Sequence, residues 1–94
     1  MVDKDRMQAF FKAVASIKTE EEARKFFVDI ATPAELQAMA DRWLAARMLS
    51  RGKSYRAIAQ ETGMSVTTIG RVARYVQYGE GGYQFMLTRT KSDD

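Results

Sequence analysis

The 94-residue chain contains no cysteine and no histidine. The first absence excludes disulfide bonds and thiol nucleophiles, and the second excludes the Ser-His-Asp and Cys-His arrangements and the usual zinc sites. A pair of carboxylates remains available for acid–base chemistry, but the acids lie mostly at predicted helix starts, where they cap the backbone. The sequence therefore predicts that the protein is not an enzyme and that it holds no cofactor and no metal.

Long apolar runs are absent as well. The uninterrupted apolar stretches extend over only a few residues, far short of the roughly 20 that cross a bilayer. No apolar signal segment follows Met1. We therefore expect a protein that has no membrane partner and is located in the cytoplasm.

Basic residues are concentrated in one part of the chain. Residues 42–75 contain seven arginines and lysines and a single acid, Glu61, so this basic segment is strongly positive while the whole chain carries only +3. The remainder of the chain is therefore net acidic. Such an asymmetry indicates an anionic partner, although charge by itself is equally compatible with a solvated basic face.

Apolar residues recur at intervals of three and four, which is typical of helices that bury one face. Thr19 with Glu22, and Thr32 with Glu35 after Pro33, have the spacing of capping boxes. The sequence shows neither a strand pattern nor a repeat. It predicts an all-α fold of five or six helices, over residues 3–17, from 19 onward, 33–50, 55–62, 66–78 and 83–89.

The domain organisation is simple. We expect one helical domain over residues 1–90 and a frayed polar tail over residues 91–94. Phe10-Phe11 and Phe26-Phe27 make the first two helices apolar over a wide arc, because adjacent residues lie about 100° apart around a helix. A tight monomer core would explain such arcs. A homodimer is favoured, because small helical chains often complete their core with a second copy.

A helix-turn-helix is predicted at about residues 54–78. Gly63 suits the left-handed turn between two helices, and Ala59, four residues earlier, is small where the second helix crosses closely. The positions that hold the two helices together are apolar: Ile58, Met64, Ile69 and Val72. A helical hairpin with no role in DNA binding is the alternative, but the surrounding basic segment favours DNA.

The predicted contacts with double-stranded DNA divide into two sets. The start of the second helix would enter the major groove, where short side chains and methyl groups reach base edges. The candidates for reading bases are Ser65, Val66, Thr67, Thr68 and Arg71. Free N–H groups at the start of the preceding helix suit phosphates, as do the nearby basic side chains. The candidates for phosphate contacts are Arg51, Lys53, Ser54, Tyr55, Arg56 and Arg74.

Two segments resemble the tryptophan repressor family: TPAELQAMADRWLAARMLSRG at residues 32–52 and SYRAIAQETGMSVTTIGRVARY at residues 54–75. The resemblance implies an all-helical, intertwined homodimer whose two recognition helices face successive major grooves. It therefore implies a sequence-specific transcriptional regulator, with repression as the expected sign.

The family also implies a small-molecule effector, since its type member binds tryptophan as a corepressor. By resemblance, Thr32, Arg42 and Arg71 match residues of that pocket. Val72 stands where the type member has a glycine along which the indole passes, and Tyr75 stands where it has a serine. Both changes add bulk. We therefore expect DNA binding that does not depend on tryptophan, and the identity of any effector stays open.

One other class of function is compatible with the sequence. A helical interaction module could resemble a repressor, dock on another protein and bind no DNA. Such a docking surface should carry exposed apolar residues, whereas the projecting second helix is polar and basic. The sequence therefore favours the regulator.

Overall fold

The computed structural model describes residues 3–91, which form six α-helices joined by short turns. No strand occurs among these residues, so the predicted all-α fold is confirmed. The helices are α1 Lys4–Ala15, α2 Glu20–Ile30, α3 Pro33–Ser50, α4 Tyr55–Thr62, α5 Val66–Tyr78 and α6 Gly82–Arg89. Apart from Lys91, the predicted tail lies outside the described residues.

Contacts between residues divide the chain into two compact units, residues 1–36 and residues 37–94. The first unit contains α1, α2 and the first turn of α3, and the second contains the rest of α3 with α4, α5 and α6. The single domain predicted for residues 1–90 stays a prediction.

The first two helices begin at side-chain caps. The Asp3 carboxylate accepts hydrogen bonds from two backbone N–H groups of the first turn of α1, at 3.0 and 3.1 Å. Thr19 Oγ1 accepts from the Glu22 N–H at 3.1 Å, and the Glu22 carboxylate accepts from the Lys18 N–H at 2.9 Å. These caps satisfy N–H groups that have no partner within the helix, so both starts follow from local sequence.

An aromatic cluster joins α1 to α2. The ring centroids of Phe10 and Phe26 are 6.0 Å apart, and Phe11 and Phe27 extend the cluster at 6.0 and 5.6 Å from their neighbours. These separations suit favourable ring pairs. Even so, no residue between positions 3 and 36 is buried, and Phe11 is 58% exposed. The single chain therefore leaves much of the apolar surface of α1 and α2 in contact with solvent.

The third helix begins with the predicted capping box and ends at a glycine. The Thr32 N–H donates to Glu35 Oε1 at 2.8 Å, and the Glu35 N–H donates to Thr32 Oγ1 at 3.1 Å. The hydrogen bond from the Thr32 backbone lowers the pKa of Glu35 from its ordinary value. At the other end Gly52 has φ +85°, and the N–H groups of Gly52 and Lys53 donate to carbonyls of the last turn, as in a Schellman motif.

The core of the second unit lies where α3, α4 and α5 meet. Its buried residues are Ala45, Ala46, Met48, Ile58, Ile69 and Val72. The two alanines of α3 pack with Val72 of α5, and Met48 packs with the two isoleucines of α4 and α5. Each large aliphatic side chain buried in this way contributes about 1.5–3 kcal/mol. This core therefore fixes α4 and α5 against α3.

Candidate nucleic-acid interface and effector cavity

A turn of three residues, 63–65, connects α4 to α5. Gly63 has φ +79° and donates its N–H to the Ala59 carbonyl at 2.9 Å, so it occupies the left-handed position predicted for it. Thr62 Oγ1 donates to a carbonyl of α4 at 2.6 Å and accepts from the Met64 N–H at 3.1 Å. Met64 also packs against both clusters of buried residues. Hydrogen bonds and core packing thus hold the turn in one conformation.

The first turn of α5 contains three of the five residues predicted to read bases, and a fourth, Ser65, is its N-cap. Ser65 Oγ accepts from the Thr68 N–H at 3.0 Å and donates to Thr68 Oγ1 at 2.9 Å, so these two hydroxyls bond to each other and cap the helix. Val66 is 56% exposed, and Thr67 is exposed beside it. The side chains of Val66 and Thr67 are therefore the ones that this turn presents directly to a ligand.

Further along, α5 has two distinct faces. Ile69 and Val72 are buried in the core, whereas Arg71 and Arg74 are exposed. Since the helix places residues three and four apart on the same side, the exposed arginines continue the surface that begins at Thr67. The outer face of α5 is consequently basic, and Tyr75 and Tyr78 extend it with exposed aromatic rings.

Five of the six phosphate candidates lie at and before the start of α4, and the sixth, Arg74, lies on α5. Ser54 Oγ accepts the Ala57 N–H at 3.1 Å and caps the helix, as predicted. Tyr55 is 43% exposed, and its ring lies beside Gly70 of α5. Arg51 and Arg56 are exposed as well. These side chains are accessible to a polyanion that approaches the start of α4.

Lys53 has an acidic partner within the basic segment. Its Nζ lies 3.1 Å from Glu61 Oε1 at the end of α4, with both side chains about half exposed. Sequence reasoning missed this ion pair, because pairs along a helix are recognised at intervals of three or four and this one spans eight residues. Glu61 is the only acid in the basic segment. The ion pair therefore weakens the positive electrostatic field of this segment at Lys53.

A cavity of about 630 Å³ opens between α3, α5 and the start of α6. Arg42, Arg71, Val72 and Tyr75 line it, so four of the five predicted effector residues border one space. Val72 is only 3% exposed, because its side chain packs into the core. The fifth residue, Thr32, lies in the first unit, where its hydroxyl caps α3.

The side of the cavity formed by α6 was missed in the sequence. Trp43, Gly79, Tyr83 and Met86 complete much of the lining, and Gln84 Nε2 donates to the Val76 carbonyl at 3.3 Å, which ties α6 to α5. The sequence feature that could have indicated this side of the cavity is a glycine-rich break followed by a helix with apolar residues. Two arginines and one glutamate, Glu80, lie in this lining beside aromatic and aliphatic side chains, which suits a small molecule with an apolar body and charged groups.

Neither a membrane-spanning helix nor a cluster of metal-binding side chains occurs among residues 3–91. No helix in this range has the length and apolar character that crossing a membrane requires. The same residues contain no group of three or more acidic side chains placed to hold a metal ion.

The fold and the site together define an all-helical protein built around two helices, a tight turn and a basic outer face. The chain belongs to the Trp repressor family: the family model described as Trp repressor protein matches residues 5–91. This family is a regulatory one and not a family of enzymes.

Relatives and solved structures agree with this assignment. The uncharacterized protein YerC of Bacillus subtilis is 40% identical over 88 residues, which cover 94% of this chain and 85% of YerC. A TrpR-like protein from Eubacterium eligens is 36% identical, with a TM-score of 0.85 over 90% of this chain and 88% of that one. A candidate Trp repressor from Staphylococcus aureus is 34% identical, with a TM-score of 0.86 over 93% of this chain and 87% of that one.

Proposed function

We propose that this protein is a sequence-specific, DNA-binding transcriptional regulator that acts as a homodimer, with repression as the expected sign. The observation that carries the proposal is the division of α5 into two faces. Ile69 and Val72 anchor the helix in the core, and the opposite face presents Thr67, Arg71 and Arg74 to solvent. A helix held in this way can enter a major groove as a helix-turn-helix recognition helix. Membership of the Trp repressor family supports the same function.

The arrangement around α5 suits contacts of two kinds. Val66 and Thr67 have short, exposed side chains, which can reach base edges and thymine methyl groups. Tyr55, Arg56 and Arg74 suit phosphates, which position the protein but do not read sequence. Lys53 can join them only in competition with Glu61, its partner at 3.1 Å. We therefore assign base reading to the first turn of α5 and positioning to the residues around it.

A second copy of the chain is the proposed partner for the exposed apolar surface of α1 and α2. Between positions 3 and 36 no residue is buried, and Phe11, Val28 and Ile30 are each more than half exposed. A unit this small cannot bury enough surface to be stable by itself. A homodimer covers the apolar surface and also gives the two-fold symmetry that paired recognition helices need.

The deciding experiment is selection of bound duplexes from a random DNA pool, with and without candidate effectors. A regulator should enrich two-fold symmetric sites with half-sites about one helical turn apart. The affinity for the enriched duplex should fall steeply as salt is added. Each phosphate neutralised should add about 0.9 to the slope of log K against log salt. A chain that only docks on other proteins shares the exposed apolar residues but enriches no duplex. Failure to enrich any sequence, with flat affinity across the salt titration, would therefore reject the regulator.

A further inference from the structure

Gly70 lies inside α5, where glycine is an unfavourable choice. Glycine loses more backbone entropy on helix formation than alanine does, and it contributes no side chain to packing. Among residues 3–91 the glycines with positive φ are Gly52, Gly63 and Gly81, and Gly70 is not one of them. The backbone conformation at Gly70 is therefore one that alanine adopts more readily.

Close packing within the chain does not explain this glycine either. A Cβ added at Gly70 would meet a single neighbour, Cε2 of Tyr55, at 3.9 Å, which is ordinary van der Waals contact. Gly79 provides the contrast, because a Cβ there would lie 2.4 Å from the Tyr75 carbonyl oxygen. The fold thus requires a glycine at position 79 but accommodates a larger residue at position 70.

Gly70 lies on the surface of α5 that is proposed to face DNA. Thr67 lies three residues before it and Arg74 four residues after it, so the three share one face of the helix. Thr67 and Arg74 are exposed and belong to the surface assigned to DNA, and the ring of Tyr55 stands beside the glycine. Gly70 is partly exposed, and between these side chains it adds only hydrogen atoms to the surface of α5. A partner can come closer to the helix axis here than at its neighbours.

We propose that the sugar-phosphate strand of bound DNA packs directly against the main chain of α5 at Gly70, which makes Gly70 a positioning residue for DNA recognition. The proposal rests on the regulator function and names a contact within that interface. The strand is preferred over a base edge because Tyr55 and Arg74, which flank the glycine, can both donate hydrogen bonds to phosphate oxygens. Close approach at this point lets the first turn of α5 sit deep enough in the groove for Thr67 to reach a base.

Gly70→Ala tests the proposal, because stability and affinity should change in opposite directions. The melting temperature should hold or rise, since alanine is the better helix former. The affinity for the duplex enriched by the unmodified protein should fall at least tenfold, because the added methyl group meets the strand. Thr88→Ala is the matched control: it also raises helix propensity, at an exposed position of α6, and it should leave the affinity unchanged.

The outcomes separate this contact from the function on which it rests. If the unmodified protein binds its enriched duplex and Gly70→Ala binds it equally well, the contact at Gly70 is absent and the regulator stands. Loss of affinity together with a lower melting temperature would make Gly70 a structural residue and overturn the proposal. If the unmodified protein enriches no duplex, both fall. A stable Gly70→Ala variant with selectively lost affinity establishes the contact.

Discussion

At the scale of single residues, the contact between Lys53 and Glu61 has the most direct bearing on DNA binding. The pair is half exposed, so its contribution to stability is small, of the order of 0–1 kcal/mol. Its effect on a polyanion is larger, because Glu61 both occupies Lys53 and repels phosphates. An ion pair inside the proposed phosphate-binding surface should therefore limit affinity more than it supports the fold.

Replacing this acid should strengthen DNA binding. Glu61→Gln should raise the affinity for every duplex severalfold at low salt, and the salt slope should increase by about 0.9 for each Lys53 that gains a phosphate. The measurement is fluorescence anisotropy across a salt titration. Glu20→Gln, which removes the same charge at the start of α2, is the control for net charge. Equal affinities for Glu61→Gln and the unmodified protein would place Lys53 outside the interface.

The prediction that DNA binding does not depend on tryptophan rests on Val72. Its side chain is buried against the alanines of α3, and Tyr75 adds bulk to the neighbouring wall of the cavity. We expect millimolar tryptophan to change neither melting temperature nor DNA affinity. The test is sensitive, because a ligand at 1,000 times its Kd stabilises a protein by about 4 kcal/mol. Micromolar binding in a calorimeter would contradict the prediction and show that Arg42 and Arg71 hold tryptophan beside Val72.

Val72→Gly tests how much the same position contributes to stability. It removes a buried side chain and places glycine inside a helix, so a loss of about 2–4 kcal/mol is expected. Because Val72 anchors α5, DNA affinity should fall as well. Chemical denaturation and anisotropy on one preparation measure both effects. Unchanged stability would mean that the core does not depend on this contact.

At the scale of elements, the first turn of α5 combines capping with the proposed recognition of bases. Ser65 and Thr68 are bonded to each other, whereas Thr67 is exposed and makes no contribution to the cap. Thr67→Ala should therefore change which duplexes are enriched and leave the melting temperature nearly unchanged. Lys53→Ala should weaken all duplexes roughly alike. If Thr67→Ala enriches the original sites, base reading lies elsewhere on the helix.

Ser65 shows why capping residues are poor probes of recognition. Ser65→Ala removes the side-chain cap of α5, which costs about 1 kcal/mol, so lower affinity in this variant would not identify a base contact. The comparison between Ser65→Ala and Thr67→Ala separates the two roles, because only the first should lower stability.

The start of α3 should respond to acid. Hydrogen bonding from the Thr32 backbone lowers the pKa of Glu35, so folding favours the ionised carboxylate. The resulting stabilisation is complete above the pKa of the unfolded chain, about 4.3 for a glutamate, and is lost as the pH falls through the lower pKa of the folded protein. Glu35→Gln should therefore make the melting temperature less dependent on pH below about 5. An unchanged acid profile would show that the capping box is unimportant in solution.

At the scale of the whole molecule, the two units differ in how much they bury. Among the described residues, the second unit has six that are apolar and buried, whereas the first unit has none. A protein whose N-terminal helices keep more than half of Phe11 and Ile30 exposed should associate through them. The homodimer and the DNA site are thus expected to depend on different parts of the chain.

Substitution of an exposed aromatic residue should test this division. Phe11→Glu should convert a dimer into monomers in sedimentation equilibrium, because a charge cannot be buried in an apolar interface without a partner. Affinity for two-fold symmetric duplexes should fall with it. Lys25→Glu, an exposed charge change on α2, should leave the dimer intact. A monomer for the unmodified protein at micromolar concentration would contradict the dimeric arrangement.

The sequence by itself determined the local parts of this protein. Both helices of the predicted helix-turn-helix begin and end at the predicted residues. Ser54, Gly63 and Ser65 act through hydrogen bonds that reach only three or four positions along the chain. The capping box of Thr32 and Glu35 was predicted for the same reason. The buried positions of Ile58, Ile69 and Val72 followed from helical periodicity.

Only the tertiary structure decided which distant side chains meet. The ion pair of Lys53 and Glu61, the α6 side of the cavity and the place of Tyr55 beside Gly70 all join residues that no local period relates. Whether Gly70 has room for a side chain is likewise decided by Tyr55 of the neighbouring helix. Such contacts depend on distances of a few ångströms between packed elements, and these distances are set by the core and not by any single segment.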